Sequence, residues 1–319
     1  MGNAASGGYS AAGAEEASAL RHGPPSAVRS ALLAARERTL RLAQDYRAAL
    51  GPQPRVPHAE ELNPPLWELG HVAWFQEWWI ARNPQRALGT RSDPGVQRPA
   101  SLLPSADAWY DSSRVAHGTR WDLRLPDSEA TAHYLEGTLA GTLELLDALP
   151  LDAGDDALYF YRLAVVHEQM HAEAAVYMGQ GLGIPLREGD ATATGGRRRE
   201  LELPAQRFVL GNAEGGFAFD NELGPHEVEL APFAIDAEPV TWAAFLPFVE
   251  AGGYEDPQWW TPEGRAWLAG LRQRRPVEQP SRQDQFALHL CAHEADAWCR
   301  WAGRRLPTEA EWELSLIHI

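Results

Sequence analysis

The amino-acid sequence predicts a molecule in two parts: a bundle of four long helices, then a smaller mixed α/β domain. Three observations carry this prediction. Between about residues 27 and 186, apolar side chains recur at three- and four-residue spacing, the period of amphipathic helices. After a Gly- and Arg-rich stretch, GDATATGGRRRE, the pattern shifts to short segments separated by Gly, Pro and Asn/Asp turns. The length of 319 residues, 45% of them apolar and 23% charged, is enough for two domains with separate cores.

The elements follow in order. Residues 1–26 are rich in Ala, Gly and Ser with few large apolar groups, and are expected to be mostly disordered. The segment RSALLAARERTLRLAQDYRAAL reads as the first bundle helix. NPPLWELGHVAWFQEWWIAR is the second, with Asn63 as N-cap and Pro64 in the first helical position. Residues 84–126 carry Pro and Gly punctuation and form a long irregular connection. The third helix starts near Asp127, and the fourth near Asp155 or Asp156, running to the glycines before Pro185. The domains are thus expected over 27–186 and 201–319, with a linker over 187–200. In the second domain RFVLG, FAFDNE, HEVELAPFAID and PVTWAAFLPFV read as strands with one or two short helices. AHEADAWCRWAG reads as a helix, and Thr308 with Glu311 forms a capping box that opens another.

Composition excludes several functions. The formal charge is −16 and every one of the 28 basic residues is Arg, so a nucleic-acid surface or anionic membrane is not the expected partner. No apolar run is long enough to span a bilayer. The N-terminus lacks the pattern of a signal peptide, so the cytoplasm is the expected compartment. Two cysteines, Cys291 and Cys299, exclude a disulfide scaffold.

The histidines carry the chemistry. Trp67, His71, Trp74 and Trp78 form one stripe of the second helix, which turns His71 into the bundle among aromatic rings. Phe160, Leu163, His167, Met170, His171, Ala174 and Met178 form a stripe of the fourth. His167 and His171 are one turn apart, the spacing at which two imidazoles grip one metal. A lone buried histidine is more often a hydrogen-bonded core residue. Three on inward faces each need partners for two ring nitrogens, and a shared metal is the simplest partner. HEQMH also fits the H-E-x-x-H motif of zinc peptidases, with Glu168 as general base. The third ligand of that class is missing from HEQMHAEAAVY, and Glu188, beyond Gly183 and Pro185, is the nearby alternative. Three histidine donors suit Zn(II) and Fe(II) equally. The residues alone therefore point to a three-histidine metal site and leave its reaction open.

NPPLWELGHVAWFQEWW with HEQMHAEA resembles the DinB-like helical domain of the ergothioneine-biosynthesis sulfoxide synthases, the EgtB-type enzymes. FDNELGPHEVELAPFAID, PVTWAAFLPFVEAGGYEDPQWW and WAGRRLPTEAEWE resemble the C-type-lectin-like formylglycine-generating-enzyme (FGE-sulfatase) domain that follows it. The resemblance covers about residues 28–314, with both domains in the family's order. It implies a nonheme Fe(II) site held by His71, His167 and His171, O₂ as co-substrate, and hercynine as the acceptor of a sulfur atom at its imidazole carbon.

Two departures from the family bear on these expectations. Where many members place a Gln just before the last iron-binding His, this chain has Met170, with Gln169 one position earlier. The wording around both motifs is closer to the selenoneine-synthase branch, which takes a selenosugar in place of a thiol. The family also continues beyond RLPTEAEWE, where its catalytic Tyr and substrate-binding Asp and Arg lie, so the second domain is expected to be incomplete and an inactive metal-binding fragment is an alternative reading. Among other residues, Arg114 and Arg120 sit in the long connection and could hold a substrate carboxylate, although solvated loop arginines are the commoner case. Arg197, Arg198 and Arg199 read as a solvated linker. His289 and His293 are four apart, with His226 as a conceivable third member, but a strand-to-helix break between them argues for ordinary structural histidines.

Overall fold

The computed structural model describes residues 11–188, 199–212, 215–270 and 284–318. The chain divides into two compact units. Of the described residues, the first holds 11–188 together with 215–219, and the second holds 199–212, 220–270 and 284–318.

In the first unit, α1 spans Ala11–His22 and α2 spans Pro25–Leu50. The presence of α1 departs from the expectation of a mostly disordered first 26 residues, whose first ten lie outside the described residues. Its alanines favour helix strongly, and Leu20 packs against the bundle core. α3 spans Pro65–Gln76 and runs into a π-helical turn over Glu77–Ala81. Its N-cap is Pro64 and its first helical residue Pro65, one position later than the sequence suggests. Asn63 instead accepts a hydrogen bond from the Arg120 guanidinium at 2.8 Å. The buried Glu77 carboxylate anchors the π turn by accepting from the Ser101 and Tyr134 hydroxyls and the Leu102 amide.

The long connection contains one short helix, α4 (Ala106–Tyr110), and two 3₁₀ segments. α5 spans Ser128–Asp147 and starts where expected, with the Asp127 carboxylate accepting from the Ala130 amide at 2.9 Å. α6 spans Asp155–Gly181 and stops at Gly183, whose φ of 70° suits glycine. α2 packs on α6, and α3 packs on both α5 and α6. One core cluster gathers Val28, Leu32, Ile80, Leu146, Leu158 and Tyr161; a second gathers Trp67, Val72, Trp74, Tyr110, Tyr134 and Leu135. A buried ion pair joins the outer helices: Arg36 of α2 reaches both oxygens of Glu168 on α6, at 2.7 and 3.2 Å. The same guanidinium donates to Gln76 of α3 and to the Leu135 carbonyl of α5, so one side chain ties four helices.

The second unit contains two antiparallel strand pairs among the described residues. β1 (Glu200–Leu203) pairs with the later strand β4 (Phe233–Asp236), and β2 (Gln206–Leu210) pairs with β3 (His226–Leu230). RFVLG and HEVELAPFAID thus form the expected strands, whereas β1 begins inside the expected linker, most of which lies outside the described residues along with Arg197 and Arg198. FAFDNE is not a strand. Phe217, which belongs to the first unit, is buried there against Tyr159, and Asp220–Glu222 forms a 3₁₀ turn. Its aromatic residues find a packing partner without a backbone ladder. The remaining elements are α7 (Trp242–Glu250), α8 (Pro262–Gly270), α9 (Ala292–Trp301) and α10 (Glu309–His318). Phe245, Phe248, Trp260 and Trp298 centre their core. The Thr308–Glu311 capping box forms as the sequence predicts, with bonds of 2.8 and 3.2 Å. Cys291 and Cys299 are both free thiols. Among the described residues, no helix is long and apolar enough to cross a membrane.

Candidate metal centre

α3 and α6 bring His71, His167 and His171 together, with one ring nitrogen of each lying within 4.8 Å of the others. Helical spacing explains the grouping. His167 and His171 stack one turn apart on α6, their Nε2 atoms 3.2 Å from each other, and His71 meets them from α3. The ring centroid of His71 lies 5.1 Å from that of His167 and 4.9 Å from that of His171.

Two of the three rings are oriented by their outer nitrogens. His71 Nδ1 donates to the Tyr110 carbonyl at 2.7 Å, and His171 Nδ1 bonds Glu68 Oε2 at 2.5 Å. Each bond fixes the tautomer that leaves a lone pair on Nε2, the usual arrangement of a histidine ligand and its outer partner. Aromatic rings hold the faces. Phe75 stacks on His167 with centroids 3.6 Å apart, and Trp67 stacks on His71 at 4.8 Å. Trp67 and Trp74 are themselves pinned through their indole N–H groups, to the Trp109 carbonyl and the Asp107 carboxylate, both at 2.8 Å.

Burial keeps His71 and His167 neutral. It pushes His71 down to about 4, with the neighbouring His171 adding to the effect, and it holds His167 well below the ordinary histidine range. Neutral imidazoles are the form that binds a metal. The same shift predicts a pH dependence for the metal-free protein. Between about pH 6.5 and 4 the unfolded chain takes up a proton at position 71 that the folded chain refuses. The contribution to stability is therefore fully present above pH 6.5 and is lost as pH falls, by about 1.4 kcal/mol per unit across this window. Denaturant midpoints measured over that range should drop, and the drop should be shallower in His71→Asn.

Sequence reasoning missed Glu68. It is buried, one helical turn before His71 on the same face of α3, and it reaches across to α6. The E-x-x-H spacing of Glu68 and His71 was the available signal. Its loss should release the His171 ring, and Glu68→Gln is expected to weaken metal binding 10- to 100-fold, roughly the cost of losing such an outer partner, as read by isothermal titration.

The other candidates separate clearly. Glu168 is committed to Arg36, so the general base that the H-E-x-x-H reading requires is already spent. Glu188 is paired with Arg38 at 2.8 and 2.9 Å. Met170 departs from its expected inward stripe and is 55% exposed, while the Gln169 carboxamide accepts from Arg38. Arg114 is an exposed loop residue paired with Asp111. Arg120 lies over the Trp67 ring at 3.7 Å, one ring removed from His71. His289 sits in the left-handed region ahead of α9, which breaks its helical spacing to His293, and His226 is exposed on β3. Among the described residues, His71, His167 and His171 are the group of three with metal-ligand spacing.

The chain matches known proteins along most of its length. It is 33% identical to the hercynine oxygenase of Mycolicibacterium smegmatis over 306 residues, covering 88% of this chain and 67% of that protein. The chain belongs to the hercynine oxygenase family. The hercynine oxygenase of Mycolicibacterium thermoresistibile is 30% identical over 307 residues, covering 88% of this chain and 64% of its own length. The chain thus spans about two thirds of the length of these relatives. Residues 193–316 match the sulfatase-modifying factor enzyme 1-like domain. The formylglycine-generating enzyme of Streptomyces coelicolor is 34% identical over 153 residues, covering 39% of this chain and 49% of that enzyme.

Proposed function

We propose that this protein is an Fe(II)- and O₂-dependent synthase that joins sulfur or selenium to the imidazole carbon of hercynine, with His71, His167 and His171 as the iron ligands. The observation that carries the reading is the convergence of three imidazoles, two of them with Nδ1 already committed to protein acceptors. Such a face binds a divalent transition metal and leaves coordination positions free. Membership of the hercynine oxygenase family supports iron over zinc, and the commitment of Glu168 to Arg36 weighs against peptide hydrolysis. Iron, when bound, would supply the redox chemistry that O₂ requires.

The chain's own residues do the rest. Tyr110 and Glu68 orient the ligands, and Trp67, Trp74 and Phe75 keep water from their faces. The wording of NPPLWELGHVAWFQEWW and HEQMHAEA supports a selenosugar donor over a thiol. The test is anaerobic iron titration of this chain, and turnover with hercynine, O₂ and either donor in a protein extended to the full length of its relatives, read by mass spectrometry. One Fe(II) per chain and a carbon–chalcogen product are expected, with both lost in His167→Ala. Iron bound as tightly by His71→Ala as by the parent would overturn the ligand set. Absence of product with both donors would overturn the reaction.

A further inference from the structure

A pocket of about 220 Å³ lies between α2, α3, α5 and α6 and opens to solvent past Leu40, Gln44 and Arg47. Leu42, Val72, Leu135, Ala172, Ala175 and Met178 build its wall, and Glu68 and His171 share it. All six apolar residues are buried except the half-buried Ala175. Polar groups interrupt the wall: Glu68 gives one oxygen to His171, the Tyr46 hydroxyl donates to the Ala175 carbonyl at 2.7 Å, the Thr39 hydroxyl is buried without a partner, and the exposed Gln44 and Arg47 line the rim. The mostly apolar wall favours small apolar guests over polar ones.

We propose that this cavity is a binding site for dioxygen, which it holds behind His171. The inference rests on the reading of an O₂-consuming metal centre. Dioxygen is small and apolar, partitions from water into such a space, and needs no hydrogen-bond partner there. His171 belongs to both the cavity wall and the histidine cluster, so a guest in the cavity rests one imidazole away from the ligand nitrogens. The cavity is thus a local store of the gas on the side of the ligands that faces α2 and α5.

The chain provides its own probes. It has three methionines: Met1, the exposed Met170 and the cavity-lining Met178. With ¹³C-methyl methionine in the full metal-free chain, oxygen pressure should speed relaxation of the Met178 methyl several-fold more than that of Met170, with argon as the blank. Ala175→Phe and Ala43→Phe, which fill the cavity from opposite walls, should bring Met178 below Met170 while circular dichroism shows the helices intact. Met178 enhancement no greater than that of Met170 in the parent would overturn the proposal. So would enhancement that persists in both folded variants. Neither readout requires iron, hercynine or turnover, so failure here is distinct from failure of the proposed reaction.

Discussion

Glu168→Ala is expected to destabilise the bundle by about 3–5 kcal/mol, because it strands the Arg36 guanidinium as an uncompensated buried charge. Arg36→Met should cost a similar amount from the other side. Replacing both with apolar residues of matching volume should recover most of the loss, since the pair's own desolvation cost then disappears. Glu168→Gln keeps an acceptor for the guanidinium and should retain metal binding, and more than about a tenth of any turnover, a loss under about 1.4 kcal/mol in the barrier. Denaturant unfolding and metal titration on the same variants separate the two roles. A folded, metal-loaded Glu168→Gln protein with no activity would restore Glu168 as a general base.

Gly70→Ala is expected to damage the metal centre without touching a ligand. A methyl group at position 70 would overlap the ring of Tyr110, which is fully buried and has little room to move. Overpacking of this kind costs about 1–3 kcal/mol. The further consequence is specific, because the Tyr110 carbonyl is the acceptor that orients His71. Displacing that segment should lower metal affinity about 10- to 100-fold, as loss of an outer partner does. Thermal melting would register the packing cost, and titration of the variant the lost orientation. Wild-type affinity in a destabilised variant would show that His71 does not depend on Tyr110.

The parts of the molecule legible in the sequence are those set by local period. The four bundle helices, the Asp127 cap, the Thr308–Glu311 capping box and the inward placement of the three histidines all follow from spacing within single helices. What was not legible depended on long-range partners. Arg36 lies 132 residues from Glu168, and nothing near HEQMH reveals that its glutamate is taken. Glu68 was hidden because a glutamate three residues before a histidine is ordinary on a helix until the opposing helix is known. Met170 fits the α6 stripe by spacing, but the bundle does not cover that position. Phe217 and Phe219 suggested a strand because aromatic alternation is a β signal, yet Phe217 was satisfied by packing alone.

The three histidines are delivered unequally. His167 and His171 share α6, so that pair survives any motion that leaves one helix intact. His71 depends on α3 staying docked, and the bond from Glu68 to His171 already ties that helix to residues 103 positions away. A metal held by all three would therefore act as a latch on α3, and its escape would not require the protein to unfold. Undocking of α3 removes one ligand and the orienting carboxylate together, leaving a two-point grip that lets go quickly. The rate of metal release would then follow the opening of α3, and amide exchange in that helix, more than exchange in α6, would set how long the centre keeps its ion.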